Sequence, residues 1–273
     1  ADFPKFQKQI EKHPHYRQVA YQLETLGLQT KGREGKWKDG DVRYWSKDKN
    51  TDAKGNYTPA RKKLHSNIVK DLLNPKAAVP KGQRPKVVML LGPPGAGKTT
   101  VGAPIAKKLA KEVTTINADD VKSRLPEYKG WNAGAVHEES SDIAEGKLFK
   151  AAAVQRHNMI LDMTGKNGTK MKGIVKRLSK MGYDAHVVAV SIPSHKSASR
   201  AWKRFRRNSF GSGGPGLEPG RFVPPGYVHH GVGDKPRKTY SEMKKMPEVK
   251  SWFLADNDVP RGTPAKTLDQ GSR

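Results

Sequence analysis

The hydrophobic positions of this chain fall into two regimes. Up to about residue 57 they are sparse and interrupted by glycine and charge; from about residue 86 they come as short apolar runs separated by amphipathic stretches. Val87, Val88, Met89, Leu90 and Leu91 predict a buried strand, as do Val113 to Ile116, Asn158 to Asp162, Ala185 to Ile192 and Lys250 to Ala255. Between them the spacing predicts helices from Lys98 to about Lys111, from Ala135 to His157 (Ile143, Ala144, Leu148, Phe149, Ala152 and Ala153 on one face), from Lys170 to Lys180 and from Pro193 to Arg207. Strands alternating with helices predict an α/β fold, a mostly parallel sheet with helices on both faces.

The first 80 residues read as a basic N-terminal extension with one or two helices, and residues 81–273 as the sheet domain. His15 to Leu28 has near-helical apolar spacing and stops at Gly27. From Lys31 to Asn56 glycine and charge dominate, with Trp37, Tyr44 and Trp45 interleaved, which suits either a loop-rich segment packed on a neighbouring domain or stacking on bases. Thr58-Pro59 is a helix start, an N-cap followed by proline at the first position, and Leu64, Ile68 and Leu72 carry that helix to Asn74-Pro75. Lys76 to Pro85 reads as a linker. Asn208 to Tyr227 is too rich in glycine and proline for regular structure, and long loops of this kind often serve as lids.

The first predicted strand breaks into Gly92-Pro93-Pro94-Gly95-Ala96-Gly97-Lys98-Thr99, the pattern G-x-x-x-x-G-K-[ST]. Glycines let successive backbone N–H groups curl around phosphate oxygens, a lysine at the position of Lys98 reaches the outer phosphates, and the Thr99 hydroxyl is placed to hold Mg²⁺. Gly92, Gly95, Ala96, Gly97, Lys98, Thr99 and Thr100 are therefore the candidate nucleotide-binding residues. The helix that follows points its positive end at the same phosphates.

Charge changes the picture next. Lys and Arg number 52 against 26 Asp and Glu, a formal net charge of +26 in 273 residues. Such a field favours anionic partners, namely nucleotides, nucleic acid, an anionic membrane surface or an acidic inhibitory protein, and a solvated basic surface with no dedicated partner is the other reading. Cysteine is absent, which excludes disulfides and thiolate metal sites. No run of about 18 apolar residues is present to predict a transmembrane segment, and the first residues, ADFPKFQKQ, lack the apolar core of a signal peptide. A first residue of Ala1 rather than Met is the pattern of a processed or excised piece of something longer, and Gly271-Ser272-Arg273 reads equally as native chain or appended tail.

Phosphoryl transfer asks for a phosphate cradle, Mg²⁺, an orienting carboxylate and cations for the transferring group. Asp119 and Asp120 follow the second strand, where parallel sheets place ligands. Asp119 suits a base for a substrate hydroxyl, and capping of a helix beginning near Val121 is the other reading of the pair. Asp162 ends an apolar strand where a Mg²⁺-associated carboxylate sits, with Thr164 behind it as a substrate contact; a surface turn is the competing reading. Arg200, Arg204, Arg206, Arg207 and Arg221 are candidate cations for the phosphoryl group. Glu138 and Glu139 suit a substrate-binding acid or helix capping equally. His229 and His230, adjacent and in a predicted loop, offer no metal-ligand spacing.

These pieces together resemble the zeta toxin family of P-loop kinases, from about Pro85 to Asn257. The resemblance rests on GPPGAGKTT at 92–100, INADDVKSRLP at 116–126, HEESSDI at 137–143, ILDMTG at 160–165, the arginine helix after SIP at 191–193, and GRFVPPGYV at 220–228. It implies a P-loop kinase-like fold and an ATP- and Mg²⁺-dependent kinase, whose family members phosphorylate the 3′-hydroxyl of the amino sugar of UDP-N-acetylglucosamine. By position it makes Asp119 the base, Glu138 or Glu139 a substrate-binding acid, Asp162 and Thr164 substrate contacts, and Arg204 and Arg221 the phosphate clamp. It also implies a toxin acting in the cytoplasm, its own or a target cell's, and an antitoxin or immunity protein, for which an acidic one suits this charge. The family's E-G-T-G is D-M-T-G here, and the loop 208–220 is longer and richer in glycine. The expected function is thus a phosphotransferase acting on a small nucleotide-like substrate such as a UDP-amino sugar. A polynucleotide kinase and a phosphate loop that binds without turnover are the alternatives.

Overall fold

The computed structural model describes residues 43, 45–130, 133–210, 221–224, 226–260 and 262–273. The helix expected at 15–28 and the aromatics Trp37 and Tyr44 lie outside them.

Six strands form one sheet in the order β2-β3-β1-β4-β5-β6, with β1 at Lys86–Leu91, β2 at Thr114–Ile116, β3 at Met159–Met163, β4 at Asp184–Ser191, β5 at Val249–Asp256 and β6 at Lys266–Ser272. The first five are parallel; β6 runs antiparallel to β5 along the edge. Residues Val87 to Leu91 of the central β1 are at most 1% exposed, as a strand covered on both faces must be. Its side chains alternate: Val87, Met89 and Leu91 enter the larger core with Ile143, Leu148, Ile174 and Tyr240, while Val88 and Leu90 meet Ile160, Val188 and Ala106 on the other face.

The helices around the sheet are α1 (Trp45–Lys49), α2 (Pro59–Leu72), α3 (Ala103–Leu109), α4 (Ala118–Lys122), α5 (His137–Ser141), α6 (Phe149–Val154), α7 (Gly168–Lys180), α8 (Ser194–Phe210) and α9 (Lys235–Met243). Thr58 caps α2 as expected, its hydroxyl accepting from Arg61 N at 3.3 Å with Pro59 at the first position. Ile68 of α2 belongs to the same core as Val87 and Met89.

Several predicted elements are modified. The helix after the phosphate loop opens with a wide π turn, Lys98–Gly102, before α3, and the predicted helix 135–157 is α5 and α6 joined by a second one, Asp142–Leu148. The helix from Pro193 runs on to Phe210. His229 and His230 sit in a helical turn, Tyr227–Val232, rather than in a loop. Helix α9 and strand β6 were not predicted at all, and the closing Gly271 and Ser272 are paired with Trp252 and Ser251 inside β6.

Candidate active site

Most of the residues singled out for chemistry converge on the carboxyl ends of the parallel strands, beside β1, where the chain steps to β3 on one side and β4 on the other. The phosphate loop leaves β1 with Gly92, Gly95 and Gly97 at φ of +154°, +87° and +93°, a backbone that residues with a Cβ rarely adopt. Lys98 folds back so that Nζ donates to Gly92 O at 2.9 Å, and Asp162 Oδ1 of β3 lies 3.6 Å away. Burial pulls the Lys98 ammonium below its ordinary value, and Asp162 opposes that shift. Burial likewise pushes the Asp162 carboxyl up, with Lys98 opposing.

Past β2, Asn117 takes the capping role: its Oδ1 accepts from Asp119 N at 2.9 Å, and α4 begins at Ala118, earlier than the expected start near Val121. Asp119 is left with its carboxylate between two cations, Lys122 Nζ at 3.0 Å and the guanidinium of Arg221. Asp120 stands near Asp162, and burial together with that charge raises its carboxyl. Lys122 itself was not foreseen. Its signal, a lysine three residues after a candidate base, is present in the sequence as the ordinary i,i+3 pair of a solvated helix. Burial draws it down to about 8.

These residues line a cleft of about 2210 Å³. A single small ligand fills roughly 300–1,000 Å³, so two ligands can lie in it together. Gly95, Gly97, Lys98, Thr99, Thr100, Asp119, Glu138, Asp162, Thr164, Arg200, Arg204 and Arg221 all face it, while Gly92 and Ala96 shape the loop from behind. Burial depresses both Arg204 and Arg221, the latter to about 10. Guanidinium groups held in this state, with the lysines beside them, make a cavity suited to phosphate. The Mg²⁺ donors fit as well: the Thr99 hydroxyl is exposed at the first helical turn and Asp162 faces the same space, a hard oxygen pair of the kind this ion takes.

The two candidate acids separate. Glu138 faces the cleft. Glu139, one residue on, is fully buried and turns to the other side, where Arg61 Nε donates to Oε1 at 2.5 Å, His65 Nε2 lies 2.6 Å from the same oxygen, and the Ser46 hydroxyl donates to Oε2. Lys147 Nζ lies 2.7 Å from His65 Nδ1. An ammonium only donates, so Nδ1 is the acceptor and the imidazole carries its proton on Nε2, toward Glu139. Arg61 also reaches both oxygens of Glu127 at 2.8 Å, joining α2 to two segments of the cleft wall.

Residues 70–245 match the family model described as zeta toxin. Among solved structures the fold is shared with a chain from the PezAT chromosomal toxin-antitoxin system of Streptococcus pneumoniae, at 16% identity and a TM-score of 0.56, over 79% of this chain and 81% of that one. A chain of AvrRxo1-ORF1:-ORF2 with ATP aligns at 18% identity and a TM-score of 0.58, over 88% and 74%. At these identities the likeness is one of fold. Curated relatives match over shorter stretches: 38% over 60 residues, or 22% of this chain, for the replication factor C large subunit of Methanococcus maripaludis, and 39% over 125 residues, or 42%, for the chromosome transmission fidelity protein 18 homolog of Homo sapiens. This chain spans 12% of each of those proteins.

Proposed function

The chain belongs to the zeta toxin family, and from that premise we propose that it is a P-loop kinase, moving the terminal phosphoryl group of ATP to a hydroxyl of a small nucleotide-like metabolite such as a UDP-amino sugar. The observation that carries this reading is the meeting, in one cleft, of a phosphate loop, a carboxylate held between two cations, and the arginines Arg204 and Arg221.

In this reading the loop and Lys98 hold the β- and γ-phosphates of ATP. Thr99 and Asp162 would hold Mg²⁺, which when bound supplies positive charge against the phosphate oxygens. The acceptor oxygen forms its bond to the γ-phosphorus as the bond from that phosphorus to the bridging oxygen breaks, and ADP leaves. Lys122 and Arg221 fix the Asp119 carboxylate from two sides. Its part is to orient the acceptor hydroxyl and take the proton late, once the new bond has made that hydroxyl acidic. Arg204 and Arg221 stabilise the charge on the transferring group. Glu138 and Thr164 face the cleft where they can bind the acceptor.

A toxin's action in the cytoplasm and restraint by an acidic antitoxin or immunity protein are part of the same proposal, supported by the family and by the surplus of 26 positive charges. No helix among the described residues is long and apolar enough to cross a membrane. The test is transfer from γ-labelled ATP with Mg²⁺ to a panel of UDP-amino sugars, nicotinamide dinucleotides, and RNA and DNA ends. Label on one small acceptor supports the reading. Label on nucleic acid replaces it with a polynucleotide kinase, and binding of ATP without transfer to any acceptor counts against a kinase.

A further inference from the structure

The phosphate loop is held by more than its own bonds, such as Ala96 N to Pro93 O at 3.1 Å. Two side chains from elements far along the chain reach its carbonyl groups from behind. Ser197, fully buried in α8, donates from Oγ to Pro94 O at 2.7 Å. Asn257, just past β5, donates from Nδ2 to Ala96 O at 2.7 Å, and its own N–H is bonded to Ser191 O at the end of β4 at 2.9 Å. A carbonyl oxygen only accepts, so the atom of Asn257 facing Ala96 is the amide nitrogen. Neither side chain lines the cleft, whereas Gly95 and Gly97 both do.

The consequence follows from the peptide group itself. In a planar trans peptide the C=O of one residue and the N–H of the next point in opposite directions. Fixing Pro94 O against Ser197 therefore turns the Gly95 N–H away from α8, and fixing Ala96 O against Asn257 turns the Gly97 N–H away from β5. Gly95 and Gly97 themselves line the cleft. The fit behind the loop is close: a methyl group on Gly95 would lie 2.6 Å from Ser197 O, and one on Gly97 would lie 2.4 Å from Asn257 Nδ2. Because α8 also carries Arg200 and Arg204 into the cleft, the Ser197 bond sets the register between loop amides and arginines.

We infer that Ser197 and Asn257 are positioning residues, which aim the Gly95 and Gly97 amides at the phosphates without touching them. The inference rests on the reading of the loop as a triphosphate site. Affinity for the non-hydrolysable analogue AMP-PNP with Mg²⁺ is measured by calorimetry, and the Gly95 and Gly97 amide signals of the bound state by ¹⁵N NMR. Ser197→Ala and Asn257→Asp, the latter placing a second acceptor against Ala96 O, should each weaken binding at least ten-fold and move both the cognate glycine signal and its shift on binding. Ser197→Thr, which keeps the hydroxyl, should restore most of the affinity.

Wild-type affinity and unchanged glycine signals in both variants overturn the inference and leave the triphosphate reading standing. Failure of the wild type to bind AMP-PNP overturns both. The thermal midpoint checks that each variant folds. Should Ser197→Ala fail to fold, the half-buried Asn257 still carries the test.

Discussion

Arg61 Nε donates to Glu139 Oε1 at 2.5 Å, and the pair is buried, with 6% and 0% of the two side chains exposed. The same guanidinium holds Glu127 at 2.8 Å. Removing one partner of such a pair leaves a buried charge unanswered, which typically costs about 3–5 kcal/mol. Arg61→Met should therefore lower the unfolding free energy obtained from urea titration by an amount of that order. A loss below about 1 kcal/mol would show that water reaches Glu139.

Glu139 also sets an acid limit. Burial raises its carboxyl, but hydrogen bonds from His65, Arg61 and Ser46 outweigh burial and hold it down to about 2, against 4.5 as its ordinary value. A carboxylate depressed in the folded state contributes stability that is complete above about pH 4.5 and is lost as pH falls toward 2. The difference is worth about 3 kcal/mol. Urea titrations at pH 6 and pH 3 should show a steep loss in the wild type and a shallower one in Glu139→Gln, with other carboxylates titrating alike in both. Equal slopes would remove Glu139 from the acid limit.

The contrast between Glu138 and Glu139 shows what could be read in advance. Local pattern revealed the strands, the phosphate loop and the capping threonine, because each is set by neighbours in sequence: apolar runs, glycine spacing, a proline at a helix start. Which of two adjacent glutamates faces the cleft depends on Arg61 and His65, more than 70 residues earlier. No local pattern carries that. Strand β6 was hidden for a related reason: its burial is partial, and Lys266, Asp269 and Gly271 break the alternation that marks a strand. Ser197 and Asn257 look like any serine and asparagine until the fold brings them behind the loop.

Asp119 and Lys98 separate binding from transfer. Asp119→Asn keeps the size and polarity of the side chain but accepts a proton poorly, so the transfer rate should fall by about 10²–10⁴ while AMP-PNP affinity changes less than threefold. Lys98→Met should abolish analogue binding at the concentrations that saturate the wild type. Parallel loss of affinity in Asp119→Asn would instead make that carboxylate part of the nucleotide cradle.

Lys122 gives the alkaline side. Burial brings it down to about 8, with 7% of its side chain exposed, and it pairs with Asp119 at 3.0 Å. A base depressed in this way is charged below its folded value and loses its charge as pH rises through it. Transfer efficiency should decline above about pH 8 in the wild type, and Lys122→Met should be weaker throughout and lack that limb. An unchanged alkaline limb in the variant would assign it to another group.

Two glycines within helical segments should respond to alanine in opposite directions. Gly173 lies in α7 with nothing within 4 Å of where a methyl group would stand. Gly173→Ala should stabilise by about 0.5–1 kcal/mol, the difference in helix propensity. At Gly102 the same methyl would lie 2.4 Å from Leu90 Cδ1 and 3.1 Å from Val190 Cγ2. Leu90 is 1% exposed in a packed core and has little room to move. Overpacking there costs about 1–3 kcal/mol, which outweighs the propensity gain. Gly102→Ala should therefore lower the thermal midpoint while Gly173→Ala raises it. Because Gly102 joins the phosphate-loop helix to β1 and β4, its substitution should also weaken AMP-PNP binding, and Gly173→Ala should leave that affinity unchanged. A stabilised Gly102→Ala would mean that helix and sheet can separate there without loss.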